Sequence, residues 1–419
     1  MNRLLSLALH SLWSRRVTAL LTVFAIAVSV ALLLGVEKLR TGAREGFAAT
    51  VSGTDLIVGP RTGPLNLLLY SIFHLGEPTA SVSWASFELV ERHPDVAWAV
   101  PISLGDSHRG FRVMGTSRDY FEHFRYGRRL PLAFDAGRPF EDVHDAVVGA
   151  TVAASLGYRV GDSIELSHGL GEVSFAPHDD HPFQIVGILA PTGTPVDRLV
   201  LVSLQAVSAI HEGWEGGARS LAAPPDVDHA HDPSPPAKIT AFLVGMKSRP
   251  AVLQMQRALN EYAAEPLTAA LPGVALSELW RMIGVADRAL RAVAACVVLA
   301  GLAGMVATLL TGLNERRREM AVLRAVGAGP GHVFTLLVLE STLLALLGAM
   351  AGALLASGLL AAAAPWVERQ LGLSLSPGLP GAYDLAIGAA VVAAGFVAGT
   401  IPAWRAYRNS LADGLSMKV

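Results

Sequence analysis

Four stretches of the sequence run for about twenty residues or more without a charged side chain: Val17–Val36, Ala292–Leu313, Ser341–Ala364 and Leu385–Trp404. At a rise of about 1.5 Å per residue, a helix of about twenty residues crosses a hydrocarbon core roughly 30 Å thick. Buried helices of a large soluble protein are the alternative, but four such stretches in one chain favour membrane helices. The first stretch is longer than the apolar region of a signal peptide and lacks a clear cleavage site, so we interpret it as an uncleaved anchor.

Arginine and lysine residues predict the orientation of these helices, because cytoplasmic flanks are enriched in both. Three basic groups flank the stretches: Arg3, Arg15 and Arg16 before the first, Arg316, Arg317, Arg318 and Arg324 between the second and third, and Arg405, Arg408 and Lys418 after the fourth. The loop between the third and fourth stretches holds only Arg369. This pattern predicts that both termini are cytoplasmic.

The predicted fold is an α-helical membrane protein with four transmembrane helices (1 + 3) and a large α+β extracytoplasmic domain inserted between helices 1 and 2. The predicted segments are a cytoplasmic N-terminus 1–16, helix 1 at 17–36, the extracytoplasmic domain 37–291, helix 2 at 292–313, a cytoplasmic coupling helix 314–331, helix 3 at 332–364, an outer loop 365–384, helix 4 at 385–404 and a cytoplasmic C-terminus 405–419. Amphipathic patterns at Glu37–Val51 and Leu276–Arg291 predict helical stalks at both ends of the inserted domain.

The composition excludes several classes of function. Only 16% of the residues are charged, against about 25% in ordinary soluble domains, and a net charge of −2 argues against a nucleic-acid binder that relies on a basic surface. No glycine precedes any of the four lysines, so the Gly-Lys of a nucleotide-binding P-loop is missing. Neither a Gly-x-Ser-x-Gly nor a His-Glu-x-x-His motif occurs. The chain is therefore predicted not to be an enzyme.

The inserted domain shows short apolar runs typical of strands, bounded by Gly, Pro, Asp or Ser. The predicted strands are 55–58, 96–102, 111–114, 146–148, 163–166, 183–189, 199–202 and 239–244, and the predicted helices are 84–92, 152–156 and 250–262. These elements predict an α+β domain of two subdomains. The segment 214–236 is rich in Gly, Pro, Asp and His and is predicted to be a mobile loop.

The segment 314–328 reads NERRREMAVLRAVGA and is predicted to be a short amphipathic helix at the cytoplasmic face, with Gly327 as its stop. One interpretation is a basic anchor that only sets the topology. The other is a docking helix for a soluble partner. The residues by themselves leave both interpretations open.

Three parts of the chain resemble the FtsX/MacB/LolC-type ABC transporter permease family. The segment 315–328 with ESTLLALLG at 340–348 is similar to its coupling region, and IPAWRAYRNSLADGL at 401–415 is similar to its C-terminal motif. VVGATVAASLGYRVGDSIEL at 147–166 and FQIVGIL at 183–189 resemble its periplasmic core domain. The resemblance covers most of the chain and agrees with the 1 + 3 topology.

This resemblance implies a permease subunit of a bacterial inner membrane that forms a homodimer, or pairs with a paralogous permease, and recruits a cytosolic ABC ATPase. ATP and Mg²⁺ would then bind to the partner ATPase, and no cofactor is expected in this chain. About sixteen residues precede the first stretch, so the ATPase is expected to be a separate polypeptide. The resemblance assigns ATPase coupling to Glu315, Arg316, Arg317, Arg318, Glu319, Met320, Leu323, Arg324 and Gly327.

The family often acts by mechanotransmission, and the absence of a charge in the middle of any apolar stretch favours a lever over a polar channel. Substrates of the implied class are a lipoprotein, lipid, peptide or drug, and a periplasmic adaptor or lipoprotein is a further implied partner. One alternative is a metal-linked (zinc) transport component, because His178, His181, His229 and His231 lie beside aspartates. Solvated loops explain the same histidines. The other alternative is a membrane-anchored regulator of cell-wall enzymes.

Five residues in or directly beside the apolar stretches are candidates for contacts between helices. Gly348 and Gly352, and likewise Gly395 and Gly399, match the small-xxx-small spacing that lets helix backbones approach closely. Glu340 precedes the third stretch directly. It is expected either to pair with an arginine of the coupling helix or to lie at the level of the lipid head groups.

Overall fold

The computed structural model describes residues 10–13, 15–168, 182–211, 214–215, 218–219, 236–315, 322, 327–371 and 381–408. The chain divides into two compact units. We call the first the membrane unit, which comprises Met1–Gly42, Gly284–Pro365 and Leu375–Val419. We call the second the sheet unit, which comprises Ala43–Ile283 and Trp366–Ser374.

The helices, in chain order, are α1 (Arg16–Thr50), α2 (Pro64–Ser71), α3 (Trp84–Glu91), α4 (Asp119–His123), α5 (Ala150–Leu156), α6 (Leu204–His211), α7 (Arg249–Asn260), α8 (Pro272–Glu315), α9 (Pro330–Leu371) and α10 (Ala382–Arg408). Within the described residues, α1, α8, α9 and α10 are long and apolar enough to cross a membrane. They contain the four predicted stretches. The predicted membrane fold with an inserted domain is therefore confirmed.

The sheet unit contains short strands that alternate with the smaller helices. They are β1 (Leu56–Pro60), β2 (Val82–Ser83), β3 (Val96–His108), β4 (Phe111–Thr116), β5 (Arg125–Tyr126), β6 (Leu130–Pro131), β7 (Phe134–Gly137), β8 (Asp145–Val148), β9 (Ser163–Ile164), β10 (Ser167–His168), β11 (Phe183–Leu189), β12 (Leu199–Ser203), β13 (Trp214–Glu215), β14 (Ala218–Arg219), β15 (Lys238–Ile239), β16 (Ala241–Met246) and β17 (Leu267–Ala270). Each of the eight predicted strands overlaps an observed one, but β3 extends six residues beyond the predicted 96–102, and the predicted 239–244 is divided between β15 and β16.

One mixed sheet of eleven described strands organises this unit, in the order β17-β1-β16-β3-β4-β12-β8-β11-β7, with β10 paired to β3 and β9 to β11. β12 lies parallel to β4, with Val200 opposite Val113, and antiparallel to β8. Among the described residues, β13 with β14, β15 with β2 and β5 with β6 pair outside this sheet, and the division of the unit into two subdomains stays a prediction. The long strand β3 pairs with both β16 and β4. It therefore joins the strands β17, β1 and β16 on one side of the sheet to β4, β12, β8, β11 and β7 on the other.

Helices α3 and α7 cover part of the sheet, and the start of α3 follows from local chemistry. Ser83 caps α3, because the backbone N–H of Ser86 donates to its hydroxyl at 3.3 Å. Glu265 accepts from the backbone N–H of Ser83 at 2.9 Å, which ties this cap to the segment before β17. Phe87 of α3 then packs edge-on against Phe242 of β16, with ring centroids 5.4 Å apart.

Candidate functional site

The predicted ATPase-coupling residues lie at the junction between α8 and α9. Glu315 is the last residue of α8, and Gly327 has a φ of 101°, a left-handed conformation that favours glycine. The other seven, Arg316, Arg317, Arg318, Glu319, Met320, Leu323 and Arg324, lie outside the described residues. Their role in coupling stays a prediction.

The four candidate glycines lie where membrane helices pack closely against each other. A Cβ atom at Gly352 of α9 would lie 2.6 Å from the carbonyl oxygen of Ala27 and 2.7 Å from Cβ of Val30, both on α1. A Cβ atom at Gly348 would lie 2.6 Å from Cγ2 of Ile26, also on α1. Gly395 and Gly399 of α10 face Ala345 and Ser341 of α9 in the same way. Larger side chains at these positions would therefore separate α1 and α10 from α9.

A second close contact joins α1 to α8, and the sequence analysis did not identify it. The hydroxyl of Ser29 donates to the carbonyl oxygens of Ala25 at 2.7 Å and Val297 at 3.2 Å. Gly301 lies one turn further along α8, where a Cβ atom would be 3.1 Å from the Ser29 hydroxyl oxygen. The sequence signals for this contact were a serine within the first apolar stretch and a glycine within the second.

A cluster of charged residues joins the helices α1, α8 and α10 of the membrane unit. Arg40 forms an ion pair with Glu37 on its own helix and lies 3.8 Å from the carboxylate of Asp287 on α8. Arg291 also pairs with Asp287, at 2.6 Å, and Lys38 lies 3.7 Å from Asp384 of α10. Apart from Arg291, these side chains are largely buried, so their pairs are screened less than surface ion pairs. We call this group the charge cluster.

Aromatic side chains also connect α1 to α8, at residues of the two helices that belong to the sheet unit. Phe47 of α1 lies 5.7 Å from Trp280 of α8 and 4.5 Å from Phe73, measured between ring centroids. The guanidinium of Arg44 lies over the Trp280 ring at 5.2 Å, a favourable cation–π geometry. We call these four residues the aromatic joint. It connects both long helices to the segment that follows α2.

His74 follows Phe73 of the aromatic joint and is buried in an unusual conformation. Its φ is 55°, and neither ring nitrogen has a hydrogen-bond partner among the described residues. Burial, together with the positive charge of Arg112, lowers the pKa of His74 from 6.5 to about 3. His74 is therefore neutral in the folded chain at any physiological pH.

Acid is expected to weaken the sheet unit through His74. The unfolded chain protonates near pH 6.5 and the folded chain only near pH 3, so stability is present above pH 6.5 and is lost as the pH falls. Between pH 7 and pH 5, His74 should account for a loss of about 2 kcal/mol. A His74→Asn variant should not show this loss of stability in acid, because asparagine does not titrate. Asparagine also tolerates the positive φ of this position.

Denaturant unfolding of the full chain in detergent, followed by tryptophan fluorescence at both pH values, measures this difference. His93→Gln, a substitution of an exposed histidine in the same unit, is the control. An equal loss of stability in acid for the wild type and His74→Asn would contradict the role of His74 in that loss.

Glu340 lies on α9 with only 3% of its surface exposed. It lines a cavity of about 130 Å³ together with Arg15, Thr22, Leu344 and residues of α8. Its pairing with an arginine of the coupling segment stays a prediction.

The candidate metal ligands His178, His181, His229 and His231 lie outside the described residues, and the described part of the chain holds no group of three or more His, Cys, Asp or Glu side chains placed to bind a metal ion.

Comparisons with known proteins cover both units. A family model described as a MacB-like periplasmic core domain matches residues 19–231, and one described as an FtsX-like permease C-terminal domain matches residues 291–411. No curated protein matches the chain significantly.

Among solved structures, 39 chains match. The periplasmic region of MacB from Actinobacillus actinomycetemcomitans is 9% identical with a TM-score of 0.34, and the match covers 56% of this chain and 97% of that one. The extracellular domain of the noncanonic ABC-type transporter YknZ from Gram-positive bacteria is 12% identical with a TM-score of 0.31, and the match covers 52% and 98%.

Proposed function

The chain belongs to the FtsX/MacB-like family of ABC transporter permeases, and from this premise we propose that it transmits the energy of ATP hydrolysis from a separate ATPase to its own sheet unit. The family consists of membrane subunits and implies an ABC ATPase as partner. In our proposal the partner binds ATP and Mg²⁺ at the cytoplasmic face, and the sheet unit lies on the opposite side of a bacterial inner membrane. Two copies, or one copy and a paralogous permease, form the membrane core.

The observation that supports this proposal most is the continuity of α1 and α8. Each helix has residues in both units, since the unit boundaries fall at Gly42–Ala43 and Ile283–Gly284. Helices of 35 and 44 residues extend for about 52 and 66 Å, well beyond a hydrocarbon core of roughly 30 Å. Neither helix has a proline in its interior, so each is suited to act as a lever.

The charge cluster and the aromatic joint support the same proposal. Each links α1 to α8, the first within the membrane unit and the second within the sheet unit. A pair of helices linked at two levels tends to move as one body, because a shift of one helix alone would break the ion pair between Arg40 and Asp287 and the contact between the Phe47 and Trp280 rings. We propose that this pair moves the sheet unit and thereby drives export or extraction of a lipoprotein, lipid, peptide or drug.

The test of this function replaces the predicted coupling residues together, as Arg317→Ala, Met320→Ala and Leu323→Ala. The full-length variant should insert normally, but co-purification of its ABC ATPase and the ATP hydrolysis of the complex should each fall by about tenfold. Hydrogen exchange then tests mechanotransmission. ATP should change exchange at Ala43–Thr50 and Pro272–Ile283 in the wild-type complex and leave it unchanged in the variant.

A variant with Arg405→Ala and Arg408→Ala provides a control, since it removes two exposed arginines from the end of α10. It should retain the ATPase. Undiminished ATPase binding by the triple variant would refute the coupling role of 315–328, and ATP-independent exchange in the wild type would refute mechanotransmission.

A further inference from the structure

One exposed face of α8 carries a repeat of seven residues. Exposed residues recur along it in alternating steps of three and four: Met282, Val285, Ala289, Ala292, Cys296, Leu299 and Ala303. Their mean spacing of about 3.5 residues is the heptad repeat of a left-handed coiled coil. We call these seven residues the heptad face. The preceding position of the same repeat is Glu278, whose charge ends the apolar series.

The opposite side of α8 is already occupied by α1. Val297 accepts a hydrogen bond from the Ser29 hydroxyl at 3.2 Å, and Asp287 lies 3.8 Å from Arg40. Ala294, on the same side of the helix, is fully buried. The heptad face therefore points away from α1 and is available to another helix.

Lipid cannot cover the whole heptad face, because its first three residues precede the apolar stretch that begins at Ala292. Two of the three, Met282 and Val285, have 65% and 64% of their surface exposed. They lie about 15 and 10 Å before Ala292 along the helix axis. Large apolar side chains in a row outside a bilayer indicate contact with another protein.

We propose that the heptad face binds the same face of a second copy of this chain, so that two α8 helices form a parallel coiled coil about a two-fold axis. In such a seam each residue of the heptad face lies opposite its own counterpart. The proposal rests on the proposed function, which places two permease chains in the membrane core, and it identifies the surface that joins them.

The side chains of the heptad face suit both environments of this seam. Within the apolar stretch, Ala292, Cys296 and Ala303 are small, and small residues let two helix backbones approach closely in lipid. Met282 and Val285 lie outside that stretch, where the removal of apolar surface from water drives association. The exposed membrane residues of α9 differ, since they include bulky side chains such as Leu354, which is 75% exposed.

Two arginines beside the heptad face favour the parallel direction. Arg281 and Arg288 are exposed at the g positions of the repeat, and Ala286 and Val293 are exposed at the e positions. An antiparallel pair brings g positions together and would place arginines against arginines, a like-charge contact that disfavours this arrangement. A parallel pair places each g position opposite an e position, where Ala286 and Val293 carry no charge.

The one cysteine of the chain lies in the heptad face and provides a native probe. Cys296 is exposed, and in the proposed seam it lies opposite the same residue of the second copy. A disulfide requires Cα atoms about 4.4–6.8 Å apart. Oxidation of the full-length protein in proteoliposomes by copper phenanthroline should therefore give a covalent dimer on a non-reducing gel, and a reductant should reverse it.

Val285→Cys, made together with Cys296→Ala, moves the probe out of the apolar stretch. Leu290→Cys in the same background is the control, because this leucine is 54% exposed but lies about 140° from Val285 around the helix. The yield of covalent dimer from Val285→Cys should exceed that from Leu290→Cys by about tenfold. Equal yields from the two variants would indicate random collision and would overturn the seam.

Val285→Glu tests whether the heptad face holds the two copies together. Two carboxylates facing each other repel, so the ratio of dimer to monomer in detergent, measured by light scattering, should fall by about tenfold. The position lies outside the apolar stretch, so membrane insertion is retained. Leu253→Glu on α7, where the leucine is 63% exposed, should leave the ratio unchanged. An unchanged ratio in Val285→Glu would also overturn the proposal.

The remaining outcomes distinguish the occupant of the heptad face. A covalent dimer from neither Cys296 nor Val285→Cys would overturn the proposal. A dimer that forms only when a paralogous permease is co-expressed would assign the face to that permease and overturn the second copy. All these measurements are made without the ATPase, so the seam and the coupling role of 315–328 can fail independently.

Discussion

Gly352→Leu is expected to destabilise the membrane unit strongly. A Cβ atom at this position would lie 2.6 Å from the carbonyl oxygen of Ala27, a backbone atom that cannot rotate away, and 2.7 Å from Val30. Leucine would therefore push α1 away from α9 along its whole contact. Overpacking typically costs 1–3 kcal/mol, and a clash with backbone lies at the upper end, at about 3 kcal/mol. That is roughly a hundredfold in the ratio of folded to unfolded protein.

Gly358→Leu is the matched control on the same helix. No atom lies within 4 Å of a Cβ placed there, and the position is exposed, so a leucine at 358 should be accommodated by lipid. Gel filtration of each detergent-solubilised variant measures the monodisperse fraction, and titration with a denaturing detergent measures stability. Equal behaviour of the two variants would refute the close packing of α1 on α9.

Asp197→Ala is expected to cost the sheet unit about 4 kcal/mol. The buried carboxylate accepts hydrogen bonds from the backbone N–H of Thr192 at 2.9 Å, the Thr192 hydroxyl at 2.7 Å and the backbone N–H of Gly193 at 2.8 Å. Alanine would leave all three donors without this acceptor and open a cavity. The turn between β11 and β12 would loosen, close to Gly149 before α5, where a Cβ would lie 2.5 Å from the carbonyl carbon of Asp197.

Asp197→Asn should cost about half as much, because the amide keeps one oxygen acceptor. Asp135→Ala is the control, since this carboxylate is exposed on the edge strand β7. Thermal unfolding of the full chain, followed by far-ultraviolet circular dichroism, ranks the three variants. A change for Asp197→Ala no larger than for Asp135→Ala would contradict the structural role of the carboxylate.

The membrane helices and most strands could be predicted from the sequence, because the signals for them are local. A charge-free stretch such as Leu385–Trp404 has the length of a membrane span, and a run such as Phe183–Leu189 is apolar over the length of a strand. The single sheet could not be predicted. It depends on pairs such as Val200 with Val113, which are distant in sequence and have no local signal that specifies the register.

The sites formed between helices were predicted only in part. The spacing of Gly348 and Gly352 marks a position where helices can approach, but it does not identify α1 as the neighbour. The partners in the charge cluster, such as Arg40 and Asp287, are about 250 residues apart, and each resembles an ordinary solvated charge when read alone. The cavity beside Glu340 is formed by three helices. The sequence shows that Glu340 is a charged residue directly beside an apolar stretch, but it does not show which residues surround it.

The order of strands also constrains how the protein is made. β1 lies between β16 and β17, so the first strand to leave the ribosome pairs only with strands synthesised about 180 residues later. At about 5–20 residues per second, the nascent chain spends roughly ten to forty seconds with the backbone N–H and C=O groups of β1 not yet paired with β16 and β17. Synthesis of this protein therefore creates a demand for chaperones on the side of the membrane where the sheet unit folds, and this demand ends only when translation has passed Ala270.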